Sequence, residues 1–393
     1  MKVLFVVPYF APAWSFGGPV KVVYDLSKEL IHQGHEVTVA TTDVLSSKQR
    51  HNKKIDILEG IKVLYFRNLS NQMAYRFNLY LPRGFHSWLK KNIQNYDIIH
   101  CHDLYTGLNI VISRLAPRFR VPFIIQPHGA LNEIRMNARM KIFKTLFLKI
   151  FPRILQSASM IIVSTEAEKN NEISRISDML IHKTYVVPNG LQVSQITQPK
   201  PNPYLRSKLG LLPGEKMIIY FGRIQFIKGI DITLRALALI KDIAYKFIII
   251  GRDEGTLSSL KLLGKELHID DRIIFLGPIF GQALTEYLSA ADLYLFNSRS
   301  ESLPMAVLDA CAAGLPVIIS PNCNLPEVGD FGAGIVLKNN TPKETAQAVT
   351  NYFFDSEVRV LMRQKCHQLI IERFNLTVIA RQYLNLYDQL VKA

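Results

Sequence analysis

The segment LYLFNSRSESLPMAVLDACAAGLPVIIS, residues 293–320, joins an apolar strand, a polar loop, an apolar helix and a second apolar strand without intervening residues. Residues 293–296 predict a buried strand, Pro304 suits the first turn of a helix, and Gly314 suits a left-handed C-cap. Pro316 then opens the next strand. The segment therefore predicts a compact βαβ unit of the kind that builds a parallel sheet.

Two carboxylates in this segment stand out. Glu301 follows the first strand, at the edge of the sheet where open α/β proteins bind ligands. Asp309 lies inside the predicted helix, which is apolar on nearly every side, so its charge needs a ligand or a buried hydrogen-bond donor.

The composition favours a two-domain or three-domain protein. The chain has 393 residues, of which 48% are hydrophobic and 20% charged, enough for two full cores. The formal net charge is +15, and residues 1–195 hold most of it, with 25 Lys/Arg against 13 Asp/Glu. A basic half suits nucleic acid, an anionic membrane or phosphorylated substrates, and charge alone does not choose among them.

Cysteine usage and hydropathy bear on the compartment. The four cysteines show no C-x-x-C pairing or zinc-ligand spacing, which indicates a reducing compartment and no metal site. The start of the chain lacks the features of a cleaved leader, and no apolar run reaches about 18 residues. We expect a cytoplasmic protein, either free or peripheral at the inner face of the plasma membrane.

The chain opens as a Rossmann-like unit. A strand over residues 2–7 leads into a loop that ends in Gly17-Gly18-Pro19, then a helix over 20–33 and a strand over 36–41. The full G-x-G-x-x-G is missing. Glycines at a helix start let backbone N–H groups approach an anion, although a simple tight turn would use the same residues.

Histidines follow two predicted strands. His100 and His102 alternate in a strand-like run, and without a third ligand nearby we interpret them as core residues rather than metal ligands. His128 precedes a glycine in the loop after the strand 121–126. It is a candidate site residue, with a core or capping histidine as the alternative.

The segment 135–153, RMNARMKIFKTLFLKIFPR, interleaves basic and apolar residues. It predicts a basic amphipathic helix that lies on anionic lipid. The alternative is a core helix whose solvated face is basic.

The second half repeats the strand and helix alternation after a Pro-rich stretch at 198–203. Its first strand, over 216–221, is followed by Gly222-Arg223-x4-Lys228-Gly229 and a helix. Two cations between glycines and just ahead of a helix N-terminus can bind a diphosphate through charge and oriented amides. The alternative is a solvated basic loop.

These motifs together resemble the retaining GT-B glycosyltransferases of family GT4. The resemblance rests on Glu301-x7-Asp309, the Gly-Arg-x4-Lys-Gly loop, His-Gly-Ala at His128, the Gly17-Gly18 pair and Pro-Asn-Gly at residues 188–190. It implies an α/β GT-B fold with two Rossmann-like, doubly wound parallel-sheet domains facing a central cleft and a C-terminal helix crossing back to the first domain. The implied divisions are an acceptor-binding domain at 1–195, a linker at 196–213, a nucleotide-sugar-binding domain at 214–375 and the terminal helix at 376–393.

The resemblance also assigns roles. Catalytic roles fall on Arg223, Lys228, Glu301 and His128, and donor-binding roles on Gly17, Gly18, Arg223, Lys228, Glu301, Leu303, Met305 and Asp309. The two cations would neutralise the departing diphosphate, which leaves no need for a metal. Asp309 stands where the family usually has Glu, one methylene longer, which puts a bidentate ribose contact in doubt.

The expected activity is transfer of a hexose-type sugar from a nucleotide sugar, with retained configuration, to a glycan or lipid-linked acceptor in cell-envelope polysaccharide synthesis. No cofactor beyond the nucleotide-sugar co-substrate and no nucleic-acid partner is expected, and an anionic membrane surface is a candidate partner. A non-catalytic scaffold of the same fold is the main alternative.

Overall fold

The computed structural model describes residues 1–138, 141–193 and 203–392. The chain forms two compact units. The first comprises Met1–Gly190 together with Leu376–Ala393, and the second comprises Leu191–Asn375. Each unit has its own sheet and its own buried core.

The first unit contains an eight-stranded sheet in the order β3-β4-β2-β1-β5-β6-β7-β8. Its strands are β1 (Lys2–Val6), β2 (Glu36–Thr42), β3 (Ile55–Leu58), β4 (Ile61–Phe66), β5 (Ile98–His102), β6 (Phe123–Gln126), β7 (Met160–Val163) and β8 (Thr184–Val186). Central strands such as β1 are buried on both faces, which is why they appear in the sequence as continuous apolar runs.

One edge of this sheet differs from the expectation of a wholly parallel arrangement. Strand β3 pairs antiparallel with β4. Its side chains alternate between exposed and half-buried positions, so it has no continuous apolar run to reveal it. The segment after β4 contains a short helix, Asn71–Phe77, capped by the Ser70 side chain.

The helices of the first unit cover both faces of the sheet. They are Gly18–His32, Asn71–Phe77, Phe85–Asn92, Gly107–Phe119, Glu133–Ala138, Lys141–Ile150, Arg153–Gln156, Glu166–Glu168, Asp178–Ile181 and Leu376–Lys392. The first of them begins two residues earlier than predicted, so Gly18 is its first residue and Gly17 its N-cap. The terminal helix packs on the first unit as predicted: Tyr383 and Tyr387 are buried there, and Tyr387 Oη lies 2.7 Å from His100 Nδ1.

The second unit contains a six-stranded sheet in the order β11-β10-β9-β12-β13-β14. Its strands are β9 (Lys216–Phe221), β10 (Tyr245–Ile250), β11 (Ile273–Phe275), β12 (Leu293–Phe296), β13 (Val317–Ile319) and β14 (Gly334–Val336). Each adjacent pair in this sheet is parallel. This is the doubly wound order 3-2-1-4-5-6, whose switch point lies between β9 and β12.

The helices of the second unit are Pro203–Lys208, Ile230–Ala238, Leu257–Glu266, Gly281–Ala290, Met305–Ala312, Glu327–Asp330, Pro342–Phe354 and Ser356–Arg373. The first of them lies within the predicted linker 196–213, and both Leu205 and Leu211 are buried in the core of the second unit. Most of the rest of that linker, residues 196–202, lies outside the described residues.

Candidate active site

The loops that follow β9 and β12 meet at the switch point of the second sheet. Lys228 Nζ, from the first loop, lies 2.6 Å from Glu301 Oε1, from the second. The two side chains are only 13% and 6% exposed, respectively. Ser298 Oγ donates a second hydrogen bond, of 2.7 Å, to the same carboxylate oxygen. The structure therefore brings together two of the predicted site residues, 73 positions apart in sequence, at the sheet edge where such folds bind ligands.

Gly229 allows the two loops to approach this closely. Its φ of +66° lies in the left-handed region, and a Cβ added to it would lie 1.8 Å from the carbonyl oxygen of Asn297. Only glycine satisfies both conditions. The glycine beside Lys228 is thus a requirement of loop packing as well as of helix initiation.

Asn297 anchors the loop after β12 through its buried side chain. It is fully buried, and its side-chain amide donates to Asn340 Oδ1 at 3.0 Å and to Thr345 Oγ1 at 2.8 Å. Its Oδ1 accepts from Thr233 Oγ1 at 2.9 Å. Because Thr233 and Thr345 belong to different helices, Asn297 ties the loop after β12 to both.

Arg299 links the loop after β12 to the loop after β9. Its guanidinium forms two hydrogen bonds with the Asp231 carboxylate, of 2.8 and 2.7 Å, and lies over the Phe226 ring at 3.9 Å. Burial alone would raise the pKa of Asp231, but the hydrogen bonds and positive charge of Arg299 outweigh it and lower that pKa. A third bond, from Arg299 to the Phe226 carbonyl, fixes the turn that carries Lys228.

Arg223, the other predicted cation, contacts a different carboxylate. Its Nη1 lies 3.4 Å from Glu254 Oε2, and its side chain is 48% exposed. Tyr220 Oη donates to the Arg223 carbonyl at 2.8 Å, which anchors the backbone of this residue. The long, exposed ion pair leaves the guanidinium accessible to an anionic ligand.

The helix that bears Asp309 runs over Met305–Ala312, as predicted, and Gly314 follows it with a φ of +70°. Pro304 immediately precedes the helix rather than lying inside its first turn. Leu303 is buried and Met305 is half-buried. Asp309 is half-buried as well, on a helix whose Val307, Leu308, Ala310 and Cys311 are buried, so its carboxylate lies on the more accessible face.

The thiol of Cys323 and the phenol of Tyr220, both near Glu301, are held neutral. Burial, and next the negative charge of Glu301, raise the pKa of the Cys323 thiol to about 12. The same two causes raise the pKa of the Tyr220 hydroxyl well above its usual value. Neither thiolate nor phenolate therefore forms near neutral pH.

In the first unit, Gly17 and Gly18 begin the helix Gly18–His32 and are both exposed. Gly17 has a φ of +83° and donates its N–H to the Trp14 carbonyl at 3.0 Å. Their predicted contact with a donor diphosphate stays a prediction.

His128 follows β6 with a left-handed φ of +53°, and its Nε2 lies 2.9 Å from His102 Nδ1. The next residue, Gly129, donates its N–H to Glu168 Oε1 at 2.8 Å, while Ser164 N–H donates to Glu168 Oε2 at 3.0 Å. This buried carboxylate thus clamps the loop of His128 to the loop after β7. His100 and His102 are buried in β5, as expected of core residues.

Sequence reasoning missed the residues that orient the site: Asn297, Arg299, Asp231, Glu254, Glu168 and His102 as a partner of His128. The one local signal was the polar run Asn297–Ser300 directly after an apolar strand. Within residues 1–138, 141–193 and 203–392, the structure has no group of three or more His, Cys, Asp or Glu side chains that could hold a metal ion.

Two family models match the chain. The model described as Glycosyltransferase Family 4 matches residues 16–195, and the model described as Glycosyl transferases group 1 matches residues 202–368. The chain belongs to the GT4-like glycosyltransferases. This confirms the family resemblance that the motifs predict and identifies the protein as a transferase that uses a nucleotide sugar and an acceptor.

Known proteins resemble this glycosyltransferase over most of its length. It is 24% identical to an uncharacterized glycosyltransferase of Methanocaldococcus jannaschii, with 98% of each chain covered. It is 26% identical to the alpha-monoglucosyldiacylglycerol synthase of Streptococcus pneumoniae, over 81% of this chain and 70% of that protein. The crystal structure of Anabaena Alr3699/HepE in complex with UDP-glucose matches with a TM-score of 0.75 at 19% identity, over 99% of this chain and 100% of that one. The fold is GT-B, as predicted.

None of the helices in the described part of this glycosyltransferase is both long and apolar enough to cross a bilayer.

Proposed function

We propose that the protein is a metal-independent, retaining hexosyltransferase that moves a sugar from a nucleotide diphosphate donor to a glycan or lipid-linked acceptor in cell-envelope polysaccharide synthesis. The observation that carries the proposal is the nearly buried Lys228–Glu301 pair at the switch point of the second sheet. An ammonium and a carboxylate held side by side in this position suit the two parts of a sugar diphosphate: the ammonium binds the diphosphate and the carboxylate binds the sugar hydroxyls.

The two cations would stabilise the leaving group. When the bond between the anomeric carbon and the phosphate oxygen breaks, negative charge develops on the diphosphate and positive character on the sugar ring. Lys228 and the accessible guanidinium of Arg223 would neutralise that diphosphate. In a front-side attack the acceptor hydroxyl gives its proton to the departing phosphate oxygen while its own oxygen bonds to the anomeric carbon, so no side chain need become a covalent nucleophile.

The carboxylates orient the donor. Glu301 would accept hydrogen bonds from the sugar hydroxyls, which is consistent with its being fixed by Ser298 and by the Asn322 carbonyl, to which its backbone N–H donates. Asp309 would accept from the ribose hydroxyls, and its half-buried position on the helix suits such a contact. The shorter side chain can reach through a bridging water.

A surface in the first unit supports a membrane-associated acceptor. On the helix Lys141–Ile150 the side chains of Ile142, Leu146 and Ile150, four residues apart, are 83%, 51% and 58% exposed. The sequence has no acidic residue from 134 to 165, whereas six Lys or Arg fall between 135 and 153. An exposed aliphatic stripe among cations fits an anionic bilayer better than it fits bulk water. The Streptococcus relative is named as the synthase of a glycosylated lipid, monoglucosyldiacylglycerol, which is consistent with a lipid acceptor.

A donor screen tests the proposal. Nucleotide sugars are added one by one, and the melting temperature of the protein is followed, because a ligand that binds only the folded state raises it. We expect one nucleotide diphosphate hexose to stabilise the protein in EDTA as well as in Mg²⁺ and to be consumed when acceptor lipids are supplied. Stabilisation by no nucleotide sugar would count against the proposal.

Alanine variants tested in cells distinguish an enzyme from a non-catalytic scaffold. Lys228→Ala and Glu301→Ala should abolish the cellular product if the protein is an enzyme. A scaffold would keep its cellular role in both variants.

A further inference from the structure

The buried ring of His102 lies against His128 in the first unit, and the geometry of this pair defines a hydrogen bond rather than a stack. The ring centroids are 5.2 Å apart with planes inclined by 16°, and Nδ1 of His102 lies 2.9 Å from Nε2 of His128. An imidazole nitrogen lies about 1.1 Å from its ring centre, so a collinear N–H···N bond of this length places the centroids about 5.1 Å apart, close to the observed separation. The two rings therefore meet edge to edge, with the proton on the line between them.

One of the two nitrogens must donate, and the surroundings of His102 decide which. His102 is fully buried, and burial, then the neighbouring His100 and His128, depress its pKa well below the usual value, so the ring is neutral and carries one proton. Its Nε2 is buried without a hydrogen-bond partner. A proton on Nε2 would be an orphaned buried N–H, which is rarer in proteins than an orphaned acceptor. The proton therefore belongs on Nδ1.

We propose that His102 is a positioning residue that donates its Nδ1–H to Nε2 of His128 and so fixes both the ring orientation of His128 and its tautomer, with the proton of a neutral His128 on Nδ1. The consequence for the reaction is that the N–H of a neutral His128 is on Nδ1, so any hydrogen bond that its ring donates comes from that nitrogen. This inference rests on the proposed function and on the catalytic role that the family resemblance implies for His128.

The rest of the strand supports this arrangement. His100 lies two residues earlier on the same face of β5, its ring 4.2 Å from that of His102, and its Nδ1 is 2.7 Å from Tyr387 Oη. His102 is thus held between a second imidazole and the ring of Phe5, 5.3 Å away, and cannot turn its Nδ1 away from His128 without repacking.

The test combines NMR with kinetics on the full-length protein. Imidazole ¹⁵N shifts distinguish protonated from unprotonated ring nitrogens, and a His128→Gln variant assigns the signals. We expect Nδ1 of His128 to be protonated and Nε2 unprotonated in the wild type. A proton on Nε2 of His128 would overturn the proposal.

Three variants extend the test. His102→Leu removes the donor and keeps the volume, and we expect kcat to fall roughly fivefold, the value of one lost hydrogen bond, while the KM for the donor changes less than twofold. His102→Asn keeps an N–H near the position of Nδ1 and should restore most of the rate. His100→Leu, the matched control, removes the neighbouring imidazole but should leave the His128 tautomer unchanged.

An unchanged tautomer and rate in His102→Leu would contradict the positioning role. If the wild-type protein transferred sugar from no nucleotide donor, the proposed function would fail, but the NMR result would still decide the hydrogen bond.

Discussion

Lys228 and Glu301, which we predict to bind opposite ends of a donor molecule, form an ion pair with each other in the unliganded site, with 2.6 Å between Nζ and Oε1. Each charge therefore compensates the other until a ligand enters. The site is pre-assembled because neither side chain has to be recruited from solvent.

Removing one partner should destabilise the second unit. Lys228→Ala leaves the Glu301 carboxylate nearly buried without its counter-charge, and we expect a loss of about 3 kcal/mol in urea unfolding. The double variant Lys228→Met with Glu301→Gln should recover most of that stability while remaining inactive.

Lys21→Ala is the matched control for this prediction. Lys21 also lies 2.6 Å from its partner, Asp25, but its side chain is 44% exposed, against 13% for Lys228, so the loss should stay below about 1 kcal/mol. Equal losses in the two lysine variants would contradict the role of burial.

Gly229→Ala should abolish donor binding and lower stability by more than about 3 kcal/mol, because both its left-handed φ and the Asn297 carbonyl exclude a Cβ. Gly34→Ala isolates the first of these effects. Its φ is +85° and nothing lies within 4 Å of the added atom, so we expect about 1 kcal/mol and normal activity. Isothermal titration with the donor and urea unfolding provide both readouts.

Arg223→Ala should weaken donor binding at least tenfold with almost no change in melting temperature, because its pair with Glu254 is long and exposed. Glu254→Gln is the companion variant. It releases the guanidinium without removing it, and donor affinity should be equal to or higher than that of the wild type. A loss of affinity in Glu254→Gln would show that the carboxylate itself binds the donor.

Acid should destabilise the first unit through its buried histidines. Burial lowers the pKa of His100 to about 3, whereas the unfolded chain titrates near pH 6.5. Between these values the unfolded state binds the extra proton, so stability falls as the pH drops below 6.5, by about 1.4 kcal/mol per pH unit for each such histidine.

His100→Asn should therefore make the dependence of the urea midpoint on pH shallower between pH 6.5 and 5, while keeping a polar partner for Tyr387. His268→Asn is the control: this histidine is exposed with a left-handed φ of +55°, which asparagine tolerates, and the slope should not change.

Replacing Ile142, Leu146 and Ile150 by serine should abolish binding to vesicles that contain phosphatidylglycerol, because the three exposed side chains supply the apolar part of the contact. Co-sedimentation measures it. Serine at Leu212, Leu239 and Leu262, which are exposed in the second unit, should leave binding intact. Vesicle binding by the first triple variant equal to that of the wild type would refute the membrane surface.

The elements that sequence reasoning located were those with a strong local signal. Strand β12, the helix Met305–Ala312 and the left-handed Gly314 follow from an apolar run, a periodic apolar segment and a glycine stop, and the structure has all three. Strand β3 was missed because an edge strand with one face in solvent carries no such run.

The sequence indicates which charged residues form the site, but it does not indicate which residues they contact. The spacing of Arg223 and Lys228 indicates a phosphate-binding loop, yet only tertiary structure decides that Lys228 pairs with Glu301 while Arg223 pairs with Glu254. The amide partners of Asn297 come from Asn340 and Thr345, more than 40 residues away, and no local pattern indicates them.

The return of the last helix to the first unit has a consequence for protein engineering. Leu191 and Phe374 lie next to each other, joined by a backbone hydrogen bond of 2.7 Å, so the second unit is an insertion whose two ends coincide. A gene fragment spanning 191–375 is accordingly a rational choice for separate expression. Truncation of the chain after Asn375, by contrast, would remove Tyr387 and Tyr383, the hydrogen-bond partners of His100 and Gln126. The core of the first unit would then be exposed to water.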